Sequence, residues 1–266
     1  MAPKANWPER FVGHDYPQSL PEPDDIQPGA PAPWSSVATS LRHALTLSMV
    51  ESRLKDADRH FATTSLPVEP LAMAPVGDAR ARLITRRSAV LVALFEEAGE
   101  THVILTRRSF SMRQHRGEIA LPGGTSDEDE TPIDTALREA REEVGLDESL
   151  VNAVGWLSPI VTFALGSAIW PVVGLLGERP TLVADPAEVD RVFSVALADL
   201  LADGAFLEER WRRDAPRPGA DDDGYFPIYF FAVPGDLVWG ATARVLTELL
   251  CVVAGVEWPE AKRPWA

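Results

Sequence analysis

The segment GTSDEDETPIDTALREAREEVGL, Gly124 to Leu146, decides how this chain folds. Thr131 is a good helix N-cap, Pro132 suits the first helical position, and Gly145 can take the left-handed conformation that ends a helix. Between them Ile133, Ala136, Leu137, Ala140 and Val144 form one apolar stripe, so the spacing predicts a helix packed on a sheet. The last turn carries Glu139, Glu142 and Glu143, three and four residues apart and on one face beside the stripe. Like charges at that spacing repel, and anions near a helix C-terminus oppose the macrodipole, each at a cost of about a few tenths of a kcal/mol. Arg138 and Arg141 are expected to point away from that face and relieve part of the strain, whereas a bound divalent cation would relieve all of it. A run of acids is ordinarily a solvated face. Here it coincides with a proline start and with Gly123–Gly124, which permit a tight turn and close approach of backbone to a ligand. Carboxylates with few nitrogen or sulfur donors suit Mg2+ or Mn2+, hard cations that bridge to phosphates.

Outward from this helix, residues 88–95 form a continuous apolar run, as in a buried strand, and residues 102–106 predict a second strand across a turn. Further strands are expected at 153–157, 169–176 and 226–233, with a loop or short helix starting at Asp185–Pro186. Residues 195–201 read as a helical piece, 214–224 as a loop, and 240–254 as an amphipathic helix. Strands interrupted by helices, without internal repeats, predict an α/β fold layered around one mixed β-sheet. The first 33 residues hold eight prolines and predict an irregular arm, draped on the domain through Trp7, Phe11 and Trp34. A helix capped by Ser35 or Ser36 is expected to run to about Ala57, with Val37, Leu41, Leu45, Met49 and Leu54 near one face. The expected division is therefore a Pro-rich N-terminal extension with a helix, residues 1–81, and a main domain over 82–266.

Composition narrows the partners. A net charge of −15 over 266 residues disfavours nonspecific binding to nucleic acid or an anionic membrane, both of which want a basic surface. Cys251 is the only cysteine, so no disulfide within the chain and no cysteine-based zinc site can form; in LLCVV it reads as a small apolar core residue. No stretch approaches the roughly 20 apolar residues of a membrane span. The N-terminus has no apolar signal core, so a cytoplasmic protein is expected. Against this acidity, ILTRRSFSMRQHRGEIALPGG (residues 104–124) concentrates Arg107, Arg108, Arg113, His115 and Arg116 within ten residues. Guanidinium forks match phosphate geometry, so the cluster reads as an anion clamp beside the acids, with some of the arginines also paired to surface acids.

Gly124, Glu130 and REAREEVGL (residues 138–146) fill every defined position of the Nudix box, and the chain resembles that family. The resemblance implies the Nudix α/β/α sandwich and metal-dependent hydrolysis of a nucleoside diphosphate linked to another group. It implies that Glu139 and Glu143 hold the metal, that Glu142 contributes to metal binding or water activation, and that the Gly124 carbonyl is a further ligand. Glu130 and Arg138 would form a structural pair bracing the loop. Thr106, Arg108, Ser109, Arg113, Gly117, Pro122, Gly123 and Gly124 also resemble the signature of the coenzyme A pyrophosphatase branch, with Ile104 and Leu121 as departures. Trp239–Thr242 looks like the family's late element. The branch implies cleavage of coenzyme A, or its acyl form, to 3′,5′-ADP and 4′-phosphopantetheine, with Arg107, Arg108, Ser109, Arg113, Gly117 and Gly123 on the substrate. Glu188, in DPAEV, is a candidate loop acid for taking the proton of the attacking water, although a helix-start acid is its more ordinary reading. ADP-ribose or a dinucleoside polyphosphate as substrate, a noncatalytic nucleotide sensor, and a homodimer remain open at this point.

Overall fold

Successive side chains of a strand point to opposite faces, and the apolar run at 88–95 fills both. The computed structural model describes residues 18, 20–21, 23–42, 45–56, 86–162, 167–212 and 223–259. In chain order its elements are β1 (Asp25–Pro28), α1 (Thr39–Arg42), α2 (Leu47–Asp56), β2 (Arg86–Glu97), β3 (Glu100–Arg108), β4 (Ile119–Ala120), β5 (Gly123–Thr125) and α3 (Pro132–Val144). There follow β6 (Asn152–Trp156), β7 (Ile160–Thr162), β8 (Ser167–Leu176), β9 (Val189–Ala196), α4 (Leu197–Leu200), β10 (Phe206–Arg212), β11 (Tyr225–Val233), β12 (Asp236–Trp239) and α5 (Gly240–Ala254).

One sheet runs β4-β3-β2-β8-β6, with β5 beside β2, β7 beside β8 and β9 beside β3. Its β2–β8 pair is parallel and its other pairs antiparallel, so the sheet is mixed, as expected. A second, antiparallel sheet runs β1-β10-β11-β12. Ala89, Leu91, Ala93 and Phe95 of β2 pack under Ala136, Ala140 and Val144 of α3. Val92 and Leu94 face the other way, into a core shared with Leu246 and Leu250 of α5 and Phe231 of β11. The fold is α/β, with α3 on one face of the mixed sheet and α5 with the second sheet on the other.

Several expectations are corrected. The arm is not irregular throughout: β1 pairs with β10 as an edge strand, and Pro28, which has no N–H to offer, ends it. Trp34 is fully buried, stacked on Phe231 at 6.2 Å and edge-on to Phe206 at 5.3 Å. The single helix expected to reach Ala57 is broken into α1 and α2. The Leu45 carbonyl accepts hydrogen bonds from the backbone N–H and hydroxyl of Thr101 at the start of β3, so it is used by the sheet rather than by a helix. Met49 consequently lies outside, with Val50 and Leu54 inside. Val195 and Ala196, read as helical, close β9 opposite Val103 and His102, and the helix is only the four residues of α4. Trp7, Phe11, Leu41, the junction near Arg82 and most of the 214–224 loop lie outside what is described, in backbone or side chain. Replacing Trp34 with alanine should lower the unfolding free energy by about 3–5 kcal/mol in a urea titration. A loss under about 1 kcal/mol would show that residues 25–42 are not part of the cooperative core.

Candidate active site

The capping chemistry of α3 sets where its acids land. Thr131 accepts from the Asp134 N–H, Asp134 accepts from the Thr131 N–H, and Gly145 closes the helix at φ 66°. The small Ala136 and Ala140 are fully buried against β2, which draws the helix close to the sheet. Beside it, β5 is just as tight. A Cβ on Gly123 would lie 2.3 Å from the Ala89 carbonyl oxygen, and one on Gly124 would lie 2.6 Å from the Glu139 carboxylate. The Glu139 carboxylate thus rests directly on the Gly124 backbone, and the Gly123 N–H donates to Glu143 Oε2 at 3.0 Å. The helix and the double glycine form one site.

The three glutamates differ in surroundings. Glu143 is 4% exposed, and burial pushes its carboxyl up to about 7. The Gly123 N–H and the Arg108 guanidinium, 4.0 Å away, pull against that, while Glu139 and Glu188 add repulsion. Burial also raises Glu139, opposed by its contact with Arg138 and reinforced by Glu142 and Glu188. Glu142 is the outermost, pairing with Arg138 at 2.9 Å and with Arg141 at 3.8 Å. The expectation that Arg138 and Arg141 point away is therefore overturned. Arg138 contacts Glu130 at 2.6 Å, and Glu139 and Glu142 at 2.9 Å each, because its long stem lets one guanidinium serve the next residue and the residue one turn on.

The upstream arginines divide. Arg108 faces Glu143, whereas Arg107 binds Asp190 at 2.9 Å and the fully buried Asp236 at 3.0 Å. Arg191 binds the other Asp236 oxygen at 3.1 Å, so this network ties β12 of one sheet to β3 and β9 of the other. Ser109 is buried, and its N–H donates to the Glu188 carbonyl. Arg113 is exposed and Gly117 buried, the latter in the left-handed region at φ 66°. Sequence reasoning undervalued Glu188, whose charge acts on both Glu139 and Glu143. It also passed over Asp236, because a lone aspartate at a strand start carries no local signal of burial.

The donor set suits a hard divalent cation: one buried carboxylate, Glu143, with only a guanidinium 4.0 Å away as counter-charge, and one half-buried carboxylate, Glu139, lying on a glycine edge no side chain can occupy. Among the described residues, however, no three His, Cys, Asp or Glu side chains converge into a closed cation cage, Glu139 and Glu142 being drawn onto Arg138.

Glu130 is the best-held acid of the group. Hydrogen bonds, first from Arg138 and then from the Asp127 N–H and the Thr135 hydroxyl, hold its carboxyl down to about 2. The folded protein takes up that proton less readily than the unfolded chain. The stabilisation is therefore complete above the ordinary carboxylate range and is lost as pH falls towards about 2. Glu130→Gln should unfold about 2 kcal/mol more easily at neutral pH, with the gap to wild type closing below about pH 4. A gap that stays constant across a pH series of urea titrations would refute the ion pair.

A family model described as NUDIX domain matches residues 85–215. Nudix hydrolase 15, mitochondrial, of Arabidopsis thaliana is 38% identical over 188 residues, 68% of this chain and 63% of that protein. The chain thus spans less than two thirds of that relative's length. The Nudix hydrolase NudL of Photorhabdus laumondii is 36% identical over 165 residues, covering 62% of this chain and 83% of that one. Among solved structures, a Nudix hydrolase from M. smegmatis, RenU, is 24% identical over 41% of this chain and 69% of its own, with a TM-score of 0.37.

Proposed function

This chain belongs to the Nudix family, whose members are hydrolases acting on pyrophosphate bonds, and we propose that it cleaves the diphosphate of coenzyme A or acyl-coenzyme A. The observation that carries the reading is the buried Glu143 and the Glu139 carboxylate laid on Gly123–Gly124, with the Arg108 guanidinium opposite. Such a site combines hard oxygen donors with a fork for phosphate oxygens. Glu139, Glu143 and the Gly124 carbonyl would hold Mg2+ or Mn2+, with Glu142 at the outer edge. When bound, the cation neutralises the diphosphate and lowers the pKa of water. Arg108 orients the phosphates. The proton of the attacking water passes to a carboxylate of the box or to Glu188, which lies within electrostatic reach of Glu139 and Glu143. The coenzyme A assignment rests on the pattern from Thr106 to Gly124. In this reading the Nudix domain comprises residues 82–266. The described part of the 1–81 extension, β1 to α2, is built onto its core. No helix among the described residues is long and apolar enough to cross a membrane. The cytoplasm is our proposed location, although the Arabidopsis relative's name places that protein in the mitochondrion.

Mass spectrometry of coenzyme A incubated with the protein should show 3′,5′-ADP and 4′-phosphopantetheine with Mg2+ and neither without it. Faster turnover of ADP-ribose would overturn the substrate, and no turnover of any nucleoside diphosphate derivative would favour a nucleotide sensor. Glu143→Gln should cost about a hundredfold or more in kcat while remaining folded. Gly124→Ala offers a sharper test, because the nearest atoms its new Cβ meets are those of the Glu139 carboxylate, the far end of a flexible side chain. Thermal stability should change little. The displaced carboxylate should lower kcat by tenfold to about a hundredfold, and unchanged kcat would detach Glu139 from the chemistry.

A further inference from the structure

The loop between β3 and β4 carries a feature the proposed chemistry does not use. Phe110 is 44% exposed and is the only aromatic among the large exposed hydrophobic residues described, the others being Met49, Leu150 and Val183. Its ring lies against Gly117, where a Cβ would come within 2.5 Å of the ring and would also be strained by the positive φ. The glycine leaves the space that the ring fills.

The loop around the ring is tied at both ends. The Gly117 N–H donates to the Arg108 carbonyl at 3.1 Å, and the Met112 N–H to the Ser109 carbonyl at 3.2 Å. The Ser109 and Ser111 hydroxyls pair at 2.9 Å, and the Ser109 N–H reaches the Glu188 carbonyl at 2.7 Å. Phe110 therefore stands two residues beyond the guanidinium that faces Glu143, on a loop anchored to the segment of Glu188. Two cations follow on the same loop. Arg113 and Arg116 are exposed and pair with no carboxylate among the described residues, even in a chain with an excess of acids. A flat apolar face beside unneutralised guanidiniums suits a ligand that is itself a flat ring carrying phosphate.

Resting on the reading of this site as one for nucleoside diphosphates, we propose that Phe110 is the platform on which the nucleobase stacks. The base then lies over the ring, with its phosphates directed towards Arg108 and the acids of α3. A phosphorylated ribose without a base has nothing to place there.

Calorimetric titration with ADP and with ribose 5-phosphate, without metal, tests this on the wild type, Phe110→Ala and Phe110→Trp. Phe110→Ala should weaken ADP binding about tenfold, within the range of base–aromatic stacking. It should leave ribose 5-phosphate within about twofold, and Phe110→Trp should restore ADP affinity. The proposal is overturned if the alanine variant binds ADP like the wild type, if it loses both ligands equally, or if the wild type binds no ADP. Coenzyme A turnover is scored separately. Phe110-dependent ADP binding without turnover would sink the hydrolase reading and leave the platform standing, while turnover with Phe110-independent binding would do the reverse.

Discussion

The approach of β5 to both β2 and α3 is closer than any side chain allows, and the site depends on it. Gly123 touches the backbone of Ala89 and Val90, and Gly124 touches the Glu139 carboxylate. That closeness is matched on the helix by Ala136 and Ala140, whose small side chains let α3 sink onto the sheet. Once the helix has sunk, Glu143 has nowhere to go but beneath it. A carboxylate that would titrate normally at a surface is raised to about 7, because packing has removed its water and supplied only one backbone N–H and a distant guanidinium in return. The electrostatics of the site are thus a consequence of glycine and alanine, not of the acids alone.

The same backbone logic separates two adjacent arginines. Arg107 and Arg108 leave β3 on opposite faces, as period-two alternation requires, and the pairing with β9 shifts register between them. Arg107 is spent on Asp236, whose burial between the sheets would be costly without Arg107 and Arg191. Arg108 turns to Glu143. A cluster that looks uniform along the sequence is divided by the strand into one residue that joins the sheets and one that faces the acids.

This division marks how far the sequence could be read. Helices α3 and α5 were legible almost to the residue, because caps and stripes are local: Thr131, Pro132 and Gly145 for one, the 240–254 periodicity for the other. The apolar runs of β2 and β8 were legible for the same reason. Strand β10, FLEERWR, was not, since its buried Glu208 and Glu209 read as surface until β1 and β11 pair on either side. Strand β1 and the break between α1 and α2 likewise depend on partners about 60 to 190 residues away, Thr101 and the β10 backbone, which no window contains. At the end of α3, the gathering of Glu139, Glu142 and Glu143 on one face was legible, while the reach of Arg138 and the charge of Glu188 were not. Both depend on which neighbours the fold brings alongside.

The end of α3 resolves the oddity that its acids present. Crowded glutamates at a helix C-terminus should weaken it, yet the backbone of this end is well satisfied. The Gly145 N–H bonds to the Arg141 carbonyl and the Leu146 N–H to the Ala140 carbonyl. The carbonyls of Glu143 and Val144, which a helix leaves without partners, accept from the N–H groups of Asp185 and Val183. Those donors belong to the segment that, three residues later, carries Glu188 into the field of Glu139 and Glu143. The hydrogen bonds that stabilise the helix end therefore also deliver a further acid to it, and the repulsion they concentrate is what a cation would relieve. Stability of the backbone and crowding of the charges are thus built by the same two hydrogen bonds.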